Sequence, residues 1–162
     1  MKLMSIRSVA QPLRLSFLLS AIVLFVSCSS RGASSSVPPP ADPEATVRSF
    51  LHAVSANSLA GMGQLWGNSN GPLANNMERE TLEQRLTVIR IYLEHEEFTI
   101  VPGDHVAGVN VEAGERAVFV QLRRRGCTPT VPFTLVYYQG GWLVRDIDLA
   151  AAGNPTRRCA ER

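Results

Sequence analysis

Residues 131–149 read VPFTLVYYQGGWLVRDIDL, and this stretch decides the fold. Two runs rich in β-branched and aromatic residues, Val131 to Tyr138 and Trp142 to Leu149, flank Gly140-Gly141, which is the signal of a β-hairpin. Along the second run a strict period of two puts Leu143, Ile147 and Leu149 on one face with Arg145. Trp142 and Val144 then share the other face with Asp146 and Asp148. The more continuous apolar face is the one without the aspartates.

Working back from the hairpin, Arg116 to Arg124 alternates Val118, Val120 and Leu122 with Ala117, Phe119 and Gln121, so it reads as a further strand. Phe98 to Val101 reads as another, stopped by Pro102-Gly103, and a shorter one falls around Val106 to Val111. Before Glu97 the period is helical. Asp42-Pro43-Glu44 starts a helix carrying Val47, Phe50, Leu51 and Val54 on one stripe to about Ala56. Asn57-Ser58 opens a short helix with Leu59, Met62, Leu65 and Trp66, and Asn68 to Asn76 reads as loop. A third helix, from about Met77 to Glu94, places Leu82, Leu86, Ile89 and Leu93 on one face. Helices first and an antiparallel or mixed meander after them predict an α+β domain, with one curved sheet over a long helix.

This element order, closed by Tyr137-Tyr138-Gln139-Gly140-Gly141-Trp142-Leu143-Val144, resembles the nuclear-transport-factor-2-like (NTF2-like) superfamily of cone-shaped domains over about Pro43 to Leu149. Within it, the chain is most similar to small exported lipoproteins. The resemblance implies a fold more than an activity, since the superfamily holds isomerases, dehydratases and non-catalytic binding modules. In its enzymes an Asp or His inside the cone is the general acid or base.

The N-terminus reads as an address. Lys2, Arg7 and Arg14 precede an apolar core from Leu15 to Val26, and Ser27-Cys28 follows as a small residue and a cysteine. About 12 apolar residues are too few to span a bilayer, which needs ~20. Leu24 to Cys28 resembles a lipobox, with Phe25 where leucine is commonest, so residues 1–27 are read as a lipoprotein signal and Cys28 as the lipidated residue. A plain secretory signal and an apolar N-terminal helix are the alternatives. Residues 28–41, rich in Ser and Pro, read as a tether, and 42–162 as a single domain. The expected location is the inner or outer membrane of a cell envelope, with the domain facing the periplasm or exterior. Of 16 basic side chains, three lie in the signal. The remaining 13 against 14 acidic ones give a net charge of −1 and no footprint for nucleic acid.

Once Cys28 is lipidated, Cys127 and Cys159 remain as a pair, and an oxidising compartment favours a disulfide between them. Closing that loop stabilises a fold by roughly 3 to 4 kcal/mol on the chain-entropy account. No cofactor is implied, and no spacing of Cys or His suggests a metal. Gly67-Asn68-Ser69-Asn70-Gly71 matches the G-x-S-x-G pattern of serine hydrolases, but it lies between a short helix and an Asn/Pro loop rather than on a strand-to-helix turn. His52 and His95 fall on the wet sides of their helices and His105 in a turn. Asp146 is the remaining candidate for a catalytic acid. Trp66, Tyr92, Tyr137, Tyr138 and Trp142 are candidates for lining a ligand pocket. Arg123-Arg124-Arg125 reads as a solvated strand end, or as a contact for an anion or lipid headgroup. The expected function is a lipid-anchored, non-catalytic binding or accessory module. Its partners would be a small apolar ligand, an envelope protein or a second copy docked through the sheet. The alternatives are an isomerase- or dehydratase-like enzyme using Asp146, and a purely structural envelope protein.

Overall fold

A computed structural model describes residues 38–102 and 111–156. Cys28, Cys159, His105, the signal segment 1–27 and the strand expected around Val106 to Val111, all but its last residue Val111, lie outside the described residues. Helix α1, Pro43–Ser55, starts where the Asp42 carboxylate accepts the Ala45 N–H at 2.7 Å, and it buries Val47, Phe50, Leu51 and Val54. Asn57, in the left-handed region at φ 54°, turns the chain into α2, Leu59–Leu65, which Ser58 caps. Arg90 from the later long helix donates to the Asn57 side chain at 2.8 Å and fixes that corner.

The segment expected to be loop is ordered. Strands β1, Gly67–Asn68, and β2, Gly71–Pro72, form a minimal antiparallel hairpin, followed by the single turn α3, Leu73–Asn76. Helix α4, Arg79–Tyr92, is shorter at both ends than its apolar period suggests, because Glu78 supplies the N-cap and Leu93 the C-cap. Its Leu82, Leu86 and Ile89, with Leu93, are buried.

Strands β3, Glu97–Val101, β4, Glu115–Arg123, β5, Thr130–Tyr138, and β6, Gly141–Ile147, form one sheet in that order, antiparallel throughout. The β5–β6 turn is Gln139–Gly140, at φ 44° and 90°, one residue earlier than the Gly-Gly pair implies. Both central residues at positive φ are what a two-residue hairpin needs to match the strand twist. Gly141 belongs to β6, where an added Cβ would run into the Pro39 carbonyl. Pro40 accepts the Trp142 N–H at 2.9 Å, so the proline end of the expected tether is fastened to β6. The last strand ends at Ile147 instead of Leu149 because Asp148 caps α5, Leu149–Ala152.

Strand β6 does not keep a strict period of two. Leu135 pairs with Val144 and Thr134 with Asp146, leaving Arg145 as an extra residue, a β-bulge. The bulge moves Ile147 onto the face of Val144, opposite Phe133, and both join the core. The faces expected from the sequence are therefore corrected: Val144 and Ile147 face inward together, while Arg145, Asp146 and Asp148 are exposed. Leu143, on the other face, is buried beside Gly67 of β1.

Between the sheet and α1, α2 and α4 lies a cluster of buried apolar side chains, with Phe50 edge-on to Phe133 at 6.3 Å and Leu86, Leu135 and Val144 at 1% exposure or less. Each such side chain contributes about 1.5–3 kcal/mol by leaving water.

The α4 cap makes stability depend on acid. The Glu80 and Thr81 N–H groups donate to the Glu78 carboxylate and hold its pKa below the ordinary 4.5. A carboxyl that is harder to protonate when folded stabilises the fold fully above its unfolded pKa. That contribution is lost as pH falls through the lower folded value. Thermal melts of the native chain and Glu78→Ala from pH 6 down to pH 3 should differ most at the upper end, and the difference should shrink as the pH falls below the ordinary carboxylate value. A gap that widened in acid would contradict this role.

Candidate functional site

Asp146 sits opposite Thr134 on the exposed side of the bulge. A carboxyl acting as general acid needs apolar walls to tune it, and those walls face the other way. The space such a group would need is occupied by Phe133, Leu135, Val144 and Leu86.

The bulge instead builds a different feature. Arg145 pairs with Glu115, a carboxylate whose side chain is only 6% exposed, and also lies 3.4 Å from Glu112. Glu115 further accepts the Glu112 N–H at 3.2 Å, which closes the turn before β4. Trp66 helps to hold the bulge by donating its indole N–H to the Arg145 carbonyl at 3.3 Å. Asn68 and Ser69, at the tip of the β1–β2 hairpin, complete a solvent-open depression of about 420 Å³ with Val136, Tyr137 and Arg145. It is a polar basin with fixed charge, suited to holding a ligand that both donates and accepts hydrogen bonds. Sequence reading missed it because Glu115 and Arg145 are thirty residues apart in chains of ordinary surface character, and only the bulge aims them at each other.

Ser69 belongs to this rim, but not as a nucleophile. The glycines around it serve packing: a Cβ on Gly67 would lie 2.5 Å from the Gly71 carbonyl oxygen, and Gly71, at φ 116°, lies against the Tyr138 ring. The G-x-S-x-G pattern is thus a tight hairpin laid on Leu143 and Tyr138.

Of the aromatic candidates, Tyr137 and Trp142 meet edge to face at 5.4 Å, with the Arg116 guanidinium 5.9 Å from the Trp142 ring. Trp66 lies beside Val144, farther along β6. Tyr92 is at the other end of the sheet, where its carbonyl accepts from Arg124. They do not form one pocket.

His52 is exposed and edge-on to Phe98. His95, expected on a wet face, is half-buried, with Nδ1 2.8 Å from the Leu93 carbonyl and Nε2 3.0 Å from Ser55 Oγ. With Nδ1–H donated to Leu93, Nε2 can only accept, and it shares the single Ser55 hydroxyl proton with the Leu51 carbonyl 3.2 Å away; a nucleophile–base pair has the same polarity. Acyl transfer there would also need donors for an oxyanion. The adjacent Ala56, Asn57 and Ser58 N–H groups are already committed to the carbonyls of His52, Val54 and Ala53. The pair therefore pins the end of α1 to the end of α4.

Within the arginine run Arg123 and Arg125 are exposed, as a solvated strand end should be, while Arg124 is a clamp. Arg124 is 8% exposed and donates to the carbonyls of Tyr92 in α4 and Ala152 in α5. Burial pushes its pKa down, with the charge of Arg125 adding to the effect and Glu94 opposing it. A guanidinium remains cationic under that pressure, and a cation is favoured at helix C-termini. Arg123 pairs with Glu96 and Glu97 at 2.8 and 2.9 Å, and Arg125 donates to the Pro155 carbonyl at 3.2 Å. Cys127, which follows this turn, is disulfide-bonded. The other two cysteines, Cys28 and Cys159, lie outside the described residues.

Comparison with known families, with curated proteins and with solved structures returns no match. The clamp can be tested directly. Arg124→Met keeps the apolar stem of the side chain but strands two carbonyls, and should lower unfolding free energy in urea by about 2–4 kcal/mol. A loss below about 0.5 kcal/mol would mean that the guanidinium is not holding the two helices.

Proposed function

We propose that the chain is a lipid-anchored envelope protein whose NTF2-like domain binds rather than catalyses. The observation that carries this reading is the row of buried apolar side chains on the helix-facing side of β5 and β6, with Asp146 turned away from it. In a cone enzyme the acid or base faces the helices from the sheet, and here Phe133, Leu135, Val144 and Ile147 hold those positions. What is left for recognition is on the surface, in the Glu112–Glu115–Arg145 basin and along the β5–β6 hairpin. The charged basin suits a polar ligand or a partner surface. The anchor is Cys28, and its use there leaves Cys127 to pair with Cys159. A disulfide at Cys127 is what an oxidising compartment would maintain.

Intact-mass measurement of the protein extracted from membranes tests the anchor. The reading expects a chain beginning at Cys28 and carrying a diacylglyceryl group, with Cys28→Ser leaving the membrane fraction. A chain that keeps residues 1–27, or begins at an unmodified Cys28, would contradict it.

A further inference from the structure

The place where the tether meets the folded chain has a chemistry of its own. Pro40 is fastened to Trp142 N–H at 2.9 Å, and Gly141 lies in contact with the Pro39 carbonyl. Ten residues, 28–37, separate the proposed lipid attachment at Cys28 from the first described residue, Pro38. Fully extended, ten residues reach at most about 36 Å, while a folded unit of this length is roughly 35 Å across. The β5–β6 hairpin can approach the bilayer with any extension of that link. The Arg124 end of the sheet can do so only if the link is drawn out along the whole domain. Short linkers raise the local concentration of what they are attached to, and here they are attached beside Trp142.

The groups displayed at that attachment suit a phospholipid surface. Tyr137 is 54% exposed, more than the other large hydrophobic side chains exposed among the described residues, and its ring rests against half-buried Trp142. Tyr and Trp, apolar in body and polar at the tip, are the side chains that settle at the membrane–water boundary. Arg116, exposed and stacked near Trp142, brings a cation to the same patch. Among the acids, Asp42 caps α1, Glu44 lies 3.6 Å from Arg48, and Glu112 and Glu115 face Arg145.

We infer that Tyr137, Trp142 and Arg116 form a membrane-contact patch that seats the hairpin end of the domain on the headgroups of anionic phospholipid. The inference rests on the lipid anchor proposed above, and it fixes which face of the domain meets the bilayer. The basin of Arg145 and Glu115 shares Tyr137 at its rim, so it opens near the membrane rather than far from it.

The test uses the full acylated chain in vesicles of phosphatidylethanolamine and phosphatidylglycerol carrying a nitroxide at headgroup depth. In Trp66→Phe, where Trp142 is the sole tryptophan, the nitroxide should reduce emission by at least about twofold. In Trp142→Phe, emission from Trp66 should change little. Protein that floats with the vesicles but shows no difference between the two variants would overturn the inference while leaving the anchor standing. Protein that does not float would remove the anchor, and the inference with it. Should Trp66→Phe fail to fold, hydrogen exchange on the unmutated chain decides: slowing at Tyr138 to Gly141 in vesicles relative to detergent supports contact. Slowing in native membranes but not in pure lipid would assign the patch to a protein partner and overturn the inference.

Discussion

The bulge at Arg145 is the constraint on which the rest of this fold depends. One extra residue in β6 reverses the alternation of its second half, so Val144 and Ile147 both face the helices and Asp146 faces out. Without it, Asp146 would fall opposite Phe133, and a carboxylate would be driven against a fully buried ring. Burying an unpaired charge costs far more than a hydrogen bond returns, so the bulge decides the composition of the core. It is held on both sides: the Arg145 carbonyl takes the Trp66 indole N–H, and its guanidinium takes Glu115.

The two ends of the sheet do different work. At one end Arg124 gathers the C-termini of α4 and α5, next to a disulfide at Cys127. That end is cross-linked and closed. At the other end the hairpin carries the attached proline strap, the Tyr137–Trp142 pair and the charged basin. On the proposed function, recognition and anchoring would share this second end of the sheet.

Much of the fold is legible in the residues. The helical stripes Val47-Phe50-Leu51-Val54 and Leu82-Leu86-Ile89-Leu93 are strong because burial and period agree. The strands from Phe98, Arg116, Val131 and Trp142 are signalled by alternation and by turn residues. What is not legible depends on contacts between distant parts of the chain. The bulge has no local signature, since Val-Arg-Asp-Ile fits an uninterrupted strand equally well, and it is Trp66 and Glu115 that select the register. The Arg124 clamp hides among three identical neighbours, of which only one lies over the helix ends. Gly67 and Gly71 look like loop glycines until Leu143 and Tyr138 are found beneath them. The site followed the same rule: Asp146 was singled out by its type, whereas Glu115 and Arg145 matter by their placement.

The register of β6 can be read without mutation, from nuclear Overhauser contacts between β5 and β6 in the labelled protein. The account predicts cross-strand contacts of Leu135 with Val144, Thr134 with Asp146, and Phe133 with Ile147. Contacts of Thr134 with Arg145 and Phe133 with Asp146 would show an unbulged strand. Asp146 would then point into the core, and the case for a binding module over an enzyme would fall.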